Sequence, residues 1–500
     1  MAVTRRQVLT GGAAGAGLAI AGSLPALSPA EASTRGHDHG PGRGPATGRP
    51  FPPLRDDPAG ILALPEGFSY RVVTRTGETD LDGGLGKTPG DHDGTAVFAA
   101  GHGRLRLVQN HELEANANEF GVPHVPGTVY DEGAPNAGGC TVIETDRDGR
   151  RLGEWVGISG TLTNCAGGET PWGSWLTCEE TETRAGTAWS GNGRSGAYAK
   201  DHGYVFEVFP DAPGRQVPEP IKAFGRFSHE ALAVSPDRTR VYLSEDASGP
   251  TGLFYRWTAP PGTRLGPRIA RRLGPTSGTL EAMRILLDDG TVLPDVAYVT
   301  SAQLGRPFRV EWLPVPDRDA RTTSVRKQFA DGTVTRGKKF EGVFGTDTGA
   351  YIVNSYAFAP ADLPADAVKH DGLVWFYDYR TQTIALVAYF PHQDTAATGT
   401  APRFSDLTFD GPDNVTMTPW GTLILAEDGA GASHVLSTVP GGPTYAVARN
   451  QLNIGTAEAP EYSEFTGPTF SPDGRTLFVN IQTPGLTLAI TGPWSRYLSR

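Results

Sequence analysis

The chain has 500 residues, with 44 Lys and Arg against 55 Asp and Glu, a net charge of −11, and 65 Gly, 41 Pro and 3 Cys. The acidic balance and the lack of any basic cluster exclude nucleic acid as a partner. Beyond the N-terminal segment, no apolar run approaches the roughly 20 residues that span a bilayer.

Residues Thr4-Arg5-Arg6-Gln7-Val8-Leu9 place two arginines ahead of a mildly apolar Gly/Ala-rich stretch, and Ala30-Glu31-Ala32 supplies a small-x-small cleavage pattern. Residues 1–32 therefore read as a twin-arginine signal cut before Ser33. A general secretory signal that happens to contain Arg5 and Arg6 is the alternative. The expectation is engagement of the twin-arginine export machinery, then a secreted, periplasmic or cell-surface protein without a stable membrane anchor. Residues 33–55 are Gly, Pro, His and Arg without hydrophobic periodicity and read as a disordered leader. Residues 56–500 show no internal linker and read as one β domain, expected to be monomeric.

Six stretches of that domain share one plan: a polar residue, an apolar strand, a turn, then a second apolar strand. They begin at Asp93, Asn164-Cys165, Glu230, Glu341, Asp413-Asn414 and Glu464, with turn residues such as Pro236-Asp237, Pro419-Trp420-Gly421 and Pro472-Asp473-Gly474. Recurrence on this scale predicts an all-β, six-bladed β-propeller; a pair of β-sandwiches is the rival. In a hairpin, the start of the first strand and the end of the second lie side by side. Asp93 thus approaches Glu112, Cys165 approaches Glu179 or Glu180, and Glu230 approaches Glu245 and Asp246. Glu341 likewise approaches Asn354 and Ser355, Asn414 approaches Glu427 and Asp428, and Glu464 approaches Gln482. If these are the inner strands of successive blades, carboxylates and one thiol ring one mouth of the central channel. Such a ring repels itself unless cations sit in it. Oxygen donors suit calcium, and a thiolate among them suits iron.

The three cysteines leave at least one thiol outside any disulfide. Cys165 and Cys178 pairing across their hairpin is the alternative to a ligand role for Cys165. Cys140 reads as a small core residue, His111 and His229 as hydrogen-bond partners behind the ring, and Trp172, Trp420 and Trp494 as packing residues.

At these residues the sequence resembles the PhoX alkaline phosphatases. The resemblance is carried by LVQNHE (107–112), NCAGGETPWGSWLTCEE (164–180), GRFSHEALAVSP (225–236), KKFEGVF (338–344), GPDNVTMTPWGTLILAEDG (411–429) and TGPTFSPDGRTLFVNIQTPG (466–485). It runs from about Leu64 to Trp494. It implies an exported phosphomonoesterase with an iron and calcium cluster, acting on small phosphoesters. Cys165 is then an iron ligand, with Glu180 and Glu230 ligands near the irons. Glu112, Asp413, Asn414, Glu427, Asp428 and Glu464 take calcium or bridging roles. The family's phosphate-gripping Arg-x-Glu pair maps to Lys339 and Glu341, so a compact ammonium replaces a two-pronged guanidinium. Two other readings stand beside the phosphatase: a calcium-dependent lactonase or phosphotriesterase, and a non-catalytic binding propeller.

Overall fold

A computed structural model describes residues 50–115, 120–211, 216–355, 357, 368–392, 406–429 and 431–498. The signal reading and most of the leader lie outside the described residues. The described part of the leader is ordered into the fold: Phe51 stacks on Tyr497 at 4.9 Å, and Leu54–Arg55 pairs with Leu64 and Pro65. The folded domain thus begins ahead of residue 56.

The chain is all-β with a propeller-like arrangement of sheets. Among the described residues the helices are short, and none is long and apolar enough to cross a membrane. The six sequence repeats are six antiparallel hairpins. Their first strands are His92–Ala99, Asn164–Glu169, His229–Val234, Phe340–Gly345, Pro412–Met417 and Phe465–Phe470. Each pairs with the strand that follows it, ending at His111, Glu179, Glu245, Asn354, Glu427 and Ile481. The first strands neighbour one another in chain order, and the sixth returns to lie beside the first. The closure is made by an N-terminal strand, Ser69–Arg75, which pairs with Leu486–Thr491 and completes the C-terminal sheet. The third and fourth hairpins occupy the two ends of one nine-stranded sheet. This sheet is continuous only through a three-residue contact, Pro307–Arg309 against Thr383–Ala385.

Every first strand carries a register shift near its start. In all six hairpins two residues oppose one there; the first of the two is Asp93, Cys165, Glu230, Glu341 or Asp413 in five of them and Gly467 in the sixth. A bulge bends its strand and re-aims the side chain, so the same irregularity turns five site residues together. Neighbouring bulges pack backbone to backbone. A Cβ on Gly94 would fall 2.6 Å from the Cys165 carbonyl oxygen, and one on Gly342 2.6 Å from that of Asp413. Side chains of the second strands hold the next bulge in place: Asn110 donates to the carbonyls of Cys165 and Ala166, and Ser244 to that of Glu341.

Candidate metal centre

In five of the six hairpins the residue after the second strand folds back over the start of the first. The backbone N–H of Glu112 donates to Asp91 O at 2.9 Å, Glu180 to Thr163 O at 2.9 Å, Ser355 to Lys339 O at 3.1 Å, Asp428 to Gly411 O at 2.8 Å, and Gln482 to Glu464 O at 3.2 Å. Four of these acceptors adopt positive φ: 42° at Asp91, 40° at Thr163, 47° at Lys339 and 53° at Gly411. A side chain in that region costs about 1–3 kcal/mol and persists where surrounding structure enforces it. At the non-glycine positions Asp91, Thr163 and Lys339 this edge of the hairpins is therefore built from locally strained backbone.

The strand pleat sorts the paired residues at each strand end. Where two acidic residues follow one another, the first points away from the Cys165 and Lys339 cluster and the second toward it. Glu179 accepts from Leu162, Gly203 and Tyr204 backbone N–H groups and lies 2.6 Å from His202 Nδ1, while Glu180 lies 3.3 Å from the Cys165 sulfur. Glu245 meets Tyr255 and Arg326, while Asp246 lies 3.9 Å from Lys339 Nζ. Glu427 follows the same rule, which corrects its expected place among the metal ligands. One of its oxygens accepts from Asp410 N, and the other accepts from His434 N at 2.7 Å and lies 2.8 Å from His434 Nδ1. Its neighbour Asp428 is the residue that turns inward, 3.3 Å from Lys339 Nζ. The Asn414 amide is also engaged, donating to Asp413 and accepting from Gly467 N.

The inward residues fall into clusters with ligand atoms within 4.8 Å of one another: Glu112 with Cys165 and Glu180, Glu230 with Glu341 and Asp413, and Asp413 with Asp428 and Glu464. The Cys165 sulfur is 3.1 Å from Glu230 as well. All three cysteines are free and buried, so the Cys165–Cys178 disulfide does not form. His111 and His229 are buried behind the ring, bonded to Gly90 O and Gly225 O. Two carboxylates outside the expected ligand set join the ring, Asp93 and Asp246. The hairpin geometry brought both to this edge.

Burial, with Asp91 beside it, pushes the Glu112 carboxyl up to about 7. Burial does the same to Asp413, also about 7, against the relief offered by Lys339. Burial followed by neighbouring carboxylates raises Glu180, Glu230, Glu341, Glu464 and Asp93 well above the carboxylate range. The Cys165 thiol is raised by burial and then by Glu230 and Glu180. Lys339 is driven the other way: although burial opposes its charge, Glu341 at 3.0 Å, Asp246 and Asp428 hold the ammonium protonated. One oxygen of the buried Asp93 has no hydrogen-bond partner. An orphaned carboxylate oxygen, mutually raised acids and a sulfur among oxygens form a donor set that fits hard cations together with a thiophilic transition metal.

The sequence profile of the family described as alkaline phosphatase PhoX matches residues 49–153 and 150–485. The chain belongs to that family. As a PhoX phosphatase it is a metal-dependent phosphoric monoester hydrolase. Among solved structures, Pseudomonas fluorescens PhoX in complex with vanadate, a transition state analogue, shares its fold. It is 19% identical, with a TM-score of 0.61 over 89% of this chain and 97% of that one. A putative gluconolactonase covers 88% of this chain and 98% of its own at 12% identity and a TM-score of 0.34. The pyranose dehydrogenase PQQ domain from Coprinopsis cinerea gives 10% identity and a TM-score of 0.30 over 88% and 98%. No curated protein sequence matches the PhoX chain.

Behind the ring of this PhoX chain, three outward carboxylates are each clamped by a cation that a second carboxylate holds. The sets are Glu179–His202–Asp131, Glu245–Arg326–Glu182 and Glu427–His434–Asp406. Burial lowers the His202 imidazole, but Glu179 and Asp131 outweigh it and lift the group from 6.5 to about 9. A raised histidine stabilises fully below its unfolded value and loses that contribution as pH climbs through the folded one. His202→Gln is expected to cost about 3–5 kcal/mol at pH 7, the penalty for stranding a buried charge. Denaturant unfolding should show that deficit shrinking as pH rises from about 6.5 to about 9, the interval over which the wild-type contribution is lost.

Proposed function

We propose that the chain hydrolyses phosphate monoesters at a mixed iron and calcium centre in one mouth of a six-bladed propeller, after export through the twin-arginine route. The closed succession of six hairpins supports the blade number, and the Arg5-Arg6 segment supports the route. The observation that carries the metal reading is Cys165, 3.1 Å from Glu230 and 3.3 Å from Glu180 in a ring otherwise made of oxygens. Calcium alone has no use for sulfur, which disfavours a calcium-only lactonase. Cys165, Glu112, Glu180 and Glu230 would hold iron. Asp93, Glu341, Asp413, Asp428 and Glu464 would hold calcium or bridge. Bound there, the metals would neutralise phosphoryl charge and make water acidic enough to attack near neutral pH.

The chain's own contribution to phosphate recognition is Lys339. Its ammonium sits among Glu341, Asp428 and Asp246, so those carboxylates fix its position and keep it charged. Lys339 would hold a phosphoryl oxygen as charge develops on it. Lys339→Met is expected to lower kcat by about 10²- to 10³-fold, the usual effect of removing one preorganised donor, while Lys339→Arg keeps most activity. A chromogenic aryl phosphate, assayed with calcium and with chelator, tests the whole reading. Metal-replete protein without calcium-dependent turnover would sink it.

A further inference from the structure

We propose that Ser355 is a substrate-binding residue whose hydroxyl donates to a phosphoryl oxygen beside Lys339; the proposal rests on the phosphatase reading. Ser355 occupies the backbone position that places Glu112, Glu180 and Asp428 inward, because each of these N–H groups bonds the residue preceding its own first strand. For Ser355 that residue is Lys339 itself. The two side chains therefore leave the same backbone hydrogen bond, at the same mouth.

The chemistry of this position differs from its counterparts. At the equivalent place the first, second and fifth hairpins carry a carboxylate, and the sixth carries Gln482, which donates to Glu112. A carboxylate in the fourth hairpin would add another anion around an ammonium already facing Glu341, Asp246 and Asp428. Serine instead leaves a neutral donor next to the cation. An ammonium and a hydroxyl carried by two residues joined through one backbone hydrogen bond could serve an anion together within a ring that otherwise repels anions.

The Ser355 hydroxyl is also idle within the protein. The residue is fully buried, yet its Oγ has no hydrogen-bond partner. Most buried side-chain polar atoms are paired, so a specific exception calls for a partner supplied from outside the chain. Phosphate, as substrate ester or as inorganic product, is the ligand chemistry that a hydroxyl next to an ammonium serves.

The idle hydroxyl makes the test clean, since removing it breaks no bond within the protein. In metal-replete holoenzyme, Ser355→Ala should keep the wild-type thermal midpoint and the wild-type calcium and iron content. The KM for an aryl phosphate and the inhibition constant of inorganic phosphate should both rise about 10- to 100-fold, the span of one hydrogen bond to a charged group. The thermal shift that inorganic phosphate induces in the wild type should shrink in parallel. Unchanged phosphate inhibition and an unchanged phosphate-induced shift would overturn the assignment. So would weaker phosphate binding accompanied by loss of metal, because Ser355 would then be serving the ions. A wild-type protein without turnover defeats the phosphatase reading, whereas the phosphate-induced shift still judges Ser355 by itself.

Discussion

Cys165→Ser should purify as a folded protein without iron and with kcat about 10³-fold below wild type, a loss of several kcal/mol of metal-derived stabilisation. The sulfur lies within 3.3 Å of Glu230 and Glu180, and its ligand atom clusters with those of Glu112 and Glu180. Serine preserves the shape and a hydroxyl that can still donate to Glu230. The backbone is held independently by Asn110, which donates to the carbonyls of both bulged residues, Cys165 and Ala166. The substitution therefore isolates donor softness from packing. Calcium content should stay near wild type, because the Asp413, Asp428 and Glu464 cluster contains no sulfur. Elemental analysis and the visible absorbance of an iron–thiolate bond read the two metals separately. Iron retained at wild-type content in the serine variant would show that Cys165 is not a ligand.

Much of this arrangement was legible from the chain because it depends on rules of short range. Turn residues such as Pro472-Asp473-Gly474 mark where a hairpin reverses, and a hairpin necessarily returns its end to its start. Cys165, Glu180 and Glu230 could be brought together on that reasoning. The choice between adjacent residues could not. Side chains alternate along a strand, so an error of one residue exchanges the mouth for the interior. Glu427 and Asp428 are equal candidates in sequence. Only the ladder, in which Glu427 pairs with Pro412 as the last strand residue, sends Glu427 to His434 and leaves Asp428 inward. The bulges were equally hidden, since an extra residue opposite Asn110 or Ser244 has no signature in composition. The fold closure depends on Ser69–Arg75 meeting Leu486–Thr491, a pairing between chain ends that no local pattern announces. Ser355 shows a further limit, because a serine just past the end of a strand carries no sign that its hydroxyl will be buried and unpaired.

The same ring predicts an unusual dependence of stability on pH once the ions are stripped. The Glu112 carboxyl rises from 4.5 to about 7 on folding, and the Asp413 carboxyl from 3.8 to about 7. An acid raised by folding binds its proton more tightly in the native state, so the native state carries no penalty below the unfolded value. The penalty grows as pH climbs toward the folded value, then stays constant above it. Chelated protein should therefore lose stability between about pH 4.5 and 7, by on the order of a few kcal/mol for each of these two groups. Glu180, Glu230, Glu341, Glu464 and Asp93 shift in the same direction and deepen the loss. Asp131 and Asp406 are lowered by folding and contribute the ordinary opposite slope, lost as pH falls below their unfolded value near 3.8. The buried His92, His111, His229 and His370 are lowered by burial and oppose this trend below about pH 6.5, so the carboxylate penalty is read as the difference between chelated and calcium-loaded protein. Calcium should remove the decline, because a cation favours the ionised carboxylates that burial disfavours. Thermal midpoints taken from pH 4 to 9, with chelator and with excess calcium, should diverge progressively as the pH rises. Superimposable curves would mean that the carboxylates facing the mouth are not neutralised by ions, and the metal centre would fall with them.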